Sequence, residues 1–117
     1  YIKDVIEAVI RVIDNPAKGS NEFDTNPLPN YSSSPYKIYN VGNNNPIKLK
    51  DFIDSIEKKL GIKLIKNFKE IQPGDVPATF ADVSDFISDF NYAPKTSMDT
   101  GISYFIDWYK SYYQKNL

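Results

Sequence analysis

Two prolines bracket a glycine and a carboxylate within six residues, Gln72-Pro73-Gly74-Asp75-Val76-Pro77. Each proline fixes φ and removes a backbone donor, and Gly74 admits a conformation that other residues resist. No helix or strand can run through such a stretch, so it divides the chain and makes a stiff loop. The carboxylate of Asp75 and the amide of Gln72 would suit a hydroxylated ligand. Spacing alone leaves two readings open, an ordinary turn or a ligand-holding loop.

The rest of the composition narrows the chemistry. At 117 residues the chain makes one domain at most, with 41% hydrophobic residues to build a modest core. Fourteen Lys+Arg against fifteen Asp+Glu leaves no basic excess, which argues against nucleic-acid binding. Arg11 is the sole arginine, so the usual bidentate phosphate clamp is scarce. With neither cysteine nor histidine, thiolate nucleophiles, disulfides, imidazole catalysis and zinc sites are excluded within the chain. No apolar run is long enough to cross a bilayer and no signal peptide is visible, so a cytoplasmic setting is expected. The opening at Tyr1, without methionine and directly in a helical pattern, reads as a piece of something longer.

Periodicity predicts four helices and two strands. Ile2, Val5, Ile6, Val9, Ile10 and Ile13 mark a first helix, and Val12 widens its stripe enough to suggest packing on two sides. Residues 15–36, with Pro16, Pro27, Pro29 and Pro35, form a long irregular connection of the kind that is either a functional cover or disordered. Residues 36–42 read as a strand closed by Gly42-Asn43-Asn44-Asn45-Pro46. Leu49, Phe52, Ile53, Ile56 and Leu60 give a second helix capped by Gly61, and 62–68 a second strand. Asp82 and Ser84 offer N-caps to a short helix through Phe90. Thr96-x-x-Asp99 resembles a capping box before a last helix whose inner stripe is Ile102, Phe105, Ile106, Tyr109 and Tyr113. The fold class expected is α+β, helix-dominated, with few short strands that two alone cannot stabilise.

Spacing reveals no catalytic set. Asp51/Asp54 and Asp85/Asp89 are paired by helical spacing, and such pairs are normally solvated faces. There is no metal-ligand spacing, no glycine-rich phosphate loop and no Tyr-x-x-x-Lys run; Tyr36-Lys37 and Tyr109-Lys110 are adjacent and point apart. The tyrosines of the last helix follow its periodicity and are read as core and rim packing.

Six motifs occur in order: Tyr-Ile-x-Asp-Val-Ile-Glu-Ala at 1–8, Tyr-Asn-Val-Gly-Asn-Asn-x-Pro at 39–46, Gln-Pro-Gly-Asp-Val-Pro at 72–77, Ala-Asp-Val-Ser at 81–84, Tyr-x-Pro-Lys-Thr-Ser at 92–97, and Gly-Ile followed by Phe-x-x-Trp-Tyr at 101–109. Together the chain resembles the C-terminal part of an extended short-chain dehydrogenase/reductase, closest to the UDP-glucuronate 4-epimerases. The resemblance implies a small C-terminal lobe that closes on a UDP-sugar, detached here from the Rossmann domain that would bind NAD. It implies epimerisation through a 4-keto intermediate, with the catalytic Tyr-x-x-x-Lys and the glycine-rich fingerprint upstream, so that this chain alone is inactive and binds no cofactor. On the family pattern Asp75 would accept from a ribose hydroxyl of UDP. Gln72 stands where many sugar epimerases place an arginine against the diphosphate, and Thr79 lies near the sugar. Lys3 replaces a common aspartate, while Asp4 keeps the pattern as support at the helix start. Residues 36–42 would join the edge of the missing parallel sheet. Alternatives are a sister enzyme, a UDP-glucuronate decarboxylase or sugar 4,6-dehydratase, or a non-catalytic interaction module. Exposed apolar faces would allow a homo-oligomer. No nucleic acid or membrane is expected as a partner.

Overall fold

The computed structural model describes residues 1–114. Four helices are formed: α1 (Ile2–Asp14), α2 (Leu49–Leu60), α3 (Ser84–Phe90) and α4 (Met98–Tyr113). All four are where the sequence reading puts helices, three by periodicity and α3 by its cap residues. The described residues fold as two compact units, one made of residues 1–44 and 80–95, the other of 45–79 and 96–114.

The first unit is built on α1 and α3. Ala8, Val83 and Phe86 are its buried apolar residues. Phe86 sits at the centre of an aromatic group, with ring centroids 4.6 Å from Phe90, 5.6 Å from Tyr39 and 6.2 Å from Tyr92. Asp4 is buried on the same face of α1 as Ala8, and the Tyr92 hydroxyl donates long bonds of 3.4 Å to its carbonyl and Oδ1. Arg11 is held from three sides: Nε donates to Glu7 Oε1 at 2.8 Å, Nη1 to the Phe90 carbonyl at 3.3 Å, and the guanidinium lies 4.7 Å from the Tyr92 ring centroid. The expected two-sided packing of α1 does not occur among the described residues. Ile2, Ile6, Val9, Ile10 and Ile13 are exposed, because only the Asp4–Ala8 face meets α3 and its neighbours.

The connection 15–36 is ordered by its own bonds. Ser20 N–H donates to the Ser32 carbonyl at 2.9 Å, Phe23 meets Tyr31 edge-on, the Tyr31 hydroxyl donates to the Asn26 carbonyl, and Asn30 Nδ2 ties the loop to Asp85 Oδ2 at 2.8 Å. A Cβ at Gly19 would lie 2.0 Å from the Ser33 carbonyl oxygen. Gly19→Ala should therefore displace backbone and cost about 1–3 kcal/mol, as overpacking does elsewhere. Limited proteolysis checks this: cleavage within 20–34 should accelerate, and an unchanged rate would show that the loop adapts.

The second unit pairs α2 with α4. Lys59 meets Asp107 at 3.0 Å, Ser55 Oγ donates to Asp99, and Ile102 and Ile106 are buried. Gly61 takes φ 74° at the end of α2, as the sequence predicts. At the start of α4 the cap is Ser97, whose Oγ accepts from Thr100 N–H at 3.2 Å, and not Thr96. Phe105 and Tyr113, expected on the inner stripe, are half exposed, and Leu49 and Phe52 of α2 are exposed too. The most buried residue of α2 is Glu57, 3% exposed.

The two predicted strands are not formed among the described residues. An isolated antiparallel bridge joins Tyr31 to Lys37, and Ile38 N–H donates to the Asn30 carbonyl at 2.8 Å. Residues 62–68 have no ladder; the Glu57 carboxylate holds them instead. It accepts from Leu64 N–H at 2.9 Å, from Lys63 Nζ at 2.7 Å and from Lys66 Nζ. A β-forming stretch without partner strands gains too little from propensity alone to form a sheet.

Candidate functional site

Gln72 and Asp75 are brought together by a turn. Asp75 N–H donates to the Gln72 carbonyl at 3.1 Å, with Pro73 and Gly74 between them and Gly74 at φ 95°. Proline at the second position and a positive-φ glycine at the third are the requirements of a type II turn. Gln72 Nε2 donates back to the Glu70 carbonyl at 3.2 Å. Residues 71–80 are all exposed, and among the described residues nothing bonds the Asp75 carboxylate. The turn thus presents an acceptor to solvent on a stiff support. It does not gather Thr79, which is exposed beyond the second proline of the loop.

A second polar cluster lies outside the sequence-predicted site. Asp89 Oδ2 accepts from Lys37 Nζ at 2.5 Å and from the Tyr39 hydroxyl at 2.6 Å. The lysine first, then the phenol, hold the Asp89 carboxyl below the usual range. Burial, reinforced by the bond to Asp89, pushes the Tyr39 phenol far above its ordinary value, which is the wrong direction for a general base. Lys37 and Tyr39 border an apolar groove of about 300 Å³, formed by Val5, Val9, Val12 and Ile13 of α1 with Val41. The aspartates of α3 are exposed, as their helical spacing suggests, and both are bonded at the surface: Asp85 accepts from Asn30, and Asp89 from Lys37 and Tyr39. The signal for this cluster is the i, i+2 spacing of Lys37 and Tyr39, which sets both on one side of an extended stretch.

Asp82 Oδ1 accepts from Ser84 N–H at 2.9 Å and Ser84 Oγ at 2.5 Å, and these bonds hold its carboxyl down. Asn40 Nδ2 donates to the Asp82 carbonyl at 3.2 Å, and a Cβ at Gly42 would lie 2.9 Å from Ala81 Cβ. Residues 39–42 and 81–84, each part of a motif, therefore adjoin. The chain's five glycines, at 19, 42, 61, 74 and 101, form no Gly-x-Gly-x-x-Gly run. Among the described residues no acidic cluster could hold a metal ion, and no helix is long and apolar enough to cross a membrane.

No family model matches the chain. Individual relatives do. Protein CapI of Staphylococcus aureus is 43% identical over 116 residues, covering 98% of this chain and 35% of that protein. UDP-glucuronate 4-epimerase 1 of Arabidopsis thaliana is 34% identical over 117 residues, 99% of this chain and 26% of its own length. A probable UDP-glucuronate 4-epimerase of Rhizobium meliloti is 30% identical over 119 residues, 98% and 34%. The chain thus spans about a third or less of the relatives it matches.

Proposed function

We propose, for a chain that belongs to the extended short-chain dehydrogenase/reductase family, that it is the C-terminal substrate-binding lobe of a UDP-glucuronate 4-epimerase. In this reading Asp75 accepts from a ribose hydroxyl of UDP. Gln72 turns its amide toward the diphosphate, and Thr79 lies toward the sugar. The observation that supports it best is the type II turn, which offers the Asp75 carboxylate to solvent with no competing bond among the described residues. NAD, which would take the C4 hydride, and the base that would take the proton of the C4 hydroxyl belong to the part of the enzyme outside this chain. With UDP-glucuronate and NAD the isolated chain should form no UDP-galacturonate, and measurable turnover would overturn that division.

The residue roles are tested by grafting the chain in place of the matching stretch of the Arabidopsis enzyme. In that graft Asp75→Asn should raise KM for UDP-glucuronate roughly 10–100-fold with little change in kcat, the loss of one hydrogen bond to a charged acceptor. An unchanged KM removes Asp75 from the site. Chromatography of the products separates the epimerase from a decarboxylase or a 4,6-dehydratase. The exposed apolar faces of α1 and α4 also favour a second reading, an interaction module without catalysis. A monomeric sedimentation profile at high concentration would count against it.

A further inference from the structure

Helix α4 meets α2 largely through polar groups. Asp99 accepts from Ser55, Asp107 pairs with Lys59 at 3.0 Å, and Ile102 and Ile106 are the buried residues of the helix. At about 100° per residue, Tyr104, Phe105, Trp108 and Tyr112 fall within one arc of about 100°, which excludes all four of those residues. Each is about half exposed or more, Tyr112 the most at 67%. Phe105 lies 5.7 Å from Trp108, and Trp108 stacks on Tyr112 at 5.3 Å, so the rings form a row along the helix. The charged residues of α4, Asp99, Asp107 and Lys110, all lie outside that arc. An amphipathic helix normally turns its apolar stripe inward. Here the largest rings point away from α2.

We propose that this aromatic row is an interface between two copies of the chain, related by a twofold axis that passes near Trp108. Antiparallel pairing about that axis sets Trp108 against its own copy and Tyr104 of each against Tyr112 of the other, since both stand four residues from Trp108. The patch is thus complementary to itself. Its composition is that of an interface core, where aromatic residues are enriched and charges are depleted. At about 200 Å² per aromatic side chain, the exposed parts come to roughly 450 Å² per copy. Two copies would bury about 900 Å² from the rings alone, close to the ~1,000 Å² at which a specific interface begins. The pairing expected is therefore a weak dimer.

A bilayer surface would also accept tryptophan and tyrosine, but an interfacial helix carries a lysine- and arginine-rich polar face. That of α4 has two aspartates and one lysine, with Asp107 already neutralised by Lys59. The charge pattern favours the second copy. The inference stands apart from the UDP-sugar reading, because none of these residues belongs to the 72–79 loop.

Trp108 is the chain's one tryptophan, so its fluorescence reports from inside the proposed interface. Sedimentation of the isolated chain over rising concentration should show monomer converting to dimer. Trp108 emission should move to shorter wavelength over the same range. Tyr112→Lys, at an exposed position, should keep the helical circular dichroism and weaken association at least about 30-fold, as loss of a central interface side chain does. Ile10→Lys, on the exposed face of α1, should leave the dimer intact. A chain monomeric at every concentration overturns the proposal, and so does a dimer that Ile10→Lys breaks and Tyr112→Lys does not. A Trp108 shift produced by phosphatidylglycerol vesicles but not by concentration overturns it in favour of a bilayer. In a graft of the chain into CapI, Tyr112→Lys should lower the mass of the assembly. An unchanged mass overturns the proposal there, and a fall in melting temperature would then assign the row to another part of the enzyme. Association without epimerase activity would leave this inference standing while the functional reading fell.

Discussion

Phe86→Ala should destabilise the first unit by about 3–5 kcal/mol, the usual cost of emptying a buried phenylalanine site. Phe86 is 1% exposed and touches Tyr39, Phe90 and Tyr92, so the void would open at the meeting point of four rings. Few other buried apolar residues are available to close over it, and total stabilities of small domains are only about 5–15 kcal/mol. Chemical denaturation followed by near-ultraviolet circular dichroism reads the loss directly. The second unit keeps Ile102, Ile106 and the stacked Trp108 and Tyr112, so the far-ultraviolet signal of α2 and α4 and the tryptophan band should survive while the bands from Phe86, Phe90, Tyr39 and Tyr92 weaken. A loss below about 1 kcal/mol would mean the rings repack without Phe86.

Glu57→Gln should remove the clamp on residues 62–66 and with it much of the acid sensitivity of the second unit. The Lys63 ammonium first, then Lys66 and the Leu64 amide, hold the Glu57 carboxyl down to about 2 against an ordinary 4.5. A carboxyl whose folded value lies below its unfolded one stabilises fully above the unfolded value. That contribution is lost as pH falls from 4.5 toward about 2. The melting temperature of the wild-type chain should accordingly drop across that window. The variant should start lower at neutral pH and fall less steeply. Lys63 is shifted upward by the same carboxylate, so its share fades only at strongly alkaline pH. Asp89, also held down, keeps some acid dependence in the first unit, and the slope will not vanish. Parallel curves for the two proteins would show that Glu57 does not carry the clamp.

Helices are legible in the sequence because their signals are local. The stripe of α2 and the glycine at 61 specify both its length and its end without reference to the remainder of the chain. Capping is less so: Ser97 and Thr96 are neighbours of the same chemical kind, and only geometry distinguishes them. The strands fail for a physical reason. A ladder needs partners, and Ile62–Phe68 finds a carboxylate instead. Asp89 lies on the exposed face its spacing implies, but its partners are about fifty residues distant, beyond the reach of any periodicity. At the candidate site, the turn at Pro73-Gly74 can be read from residue types, since few sequences meet its dihedral demands. What faces Asp75 cannot, because a ligand's other contacts are not written in the loop.

The division into units has a consequence for how the chain is made. Residues 1–44 cannot complete their unit until 80–95 arrive, and 45–79 wait in turn for 96–114. Each unit is interrupted by a piece of the other, so no single truncation yields either one whole. On the ribosome the Phe86 ring cluster closes only after most of the chain has emerged. Its formation must bridge a long intervening segment, a search that slows folding even where it costs little stability.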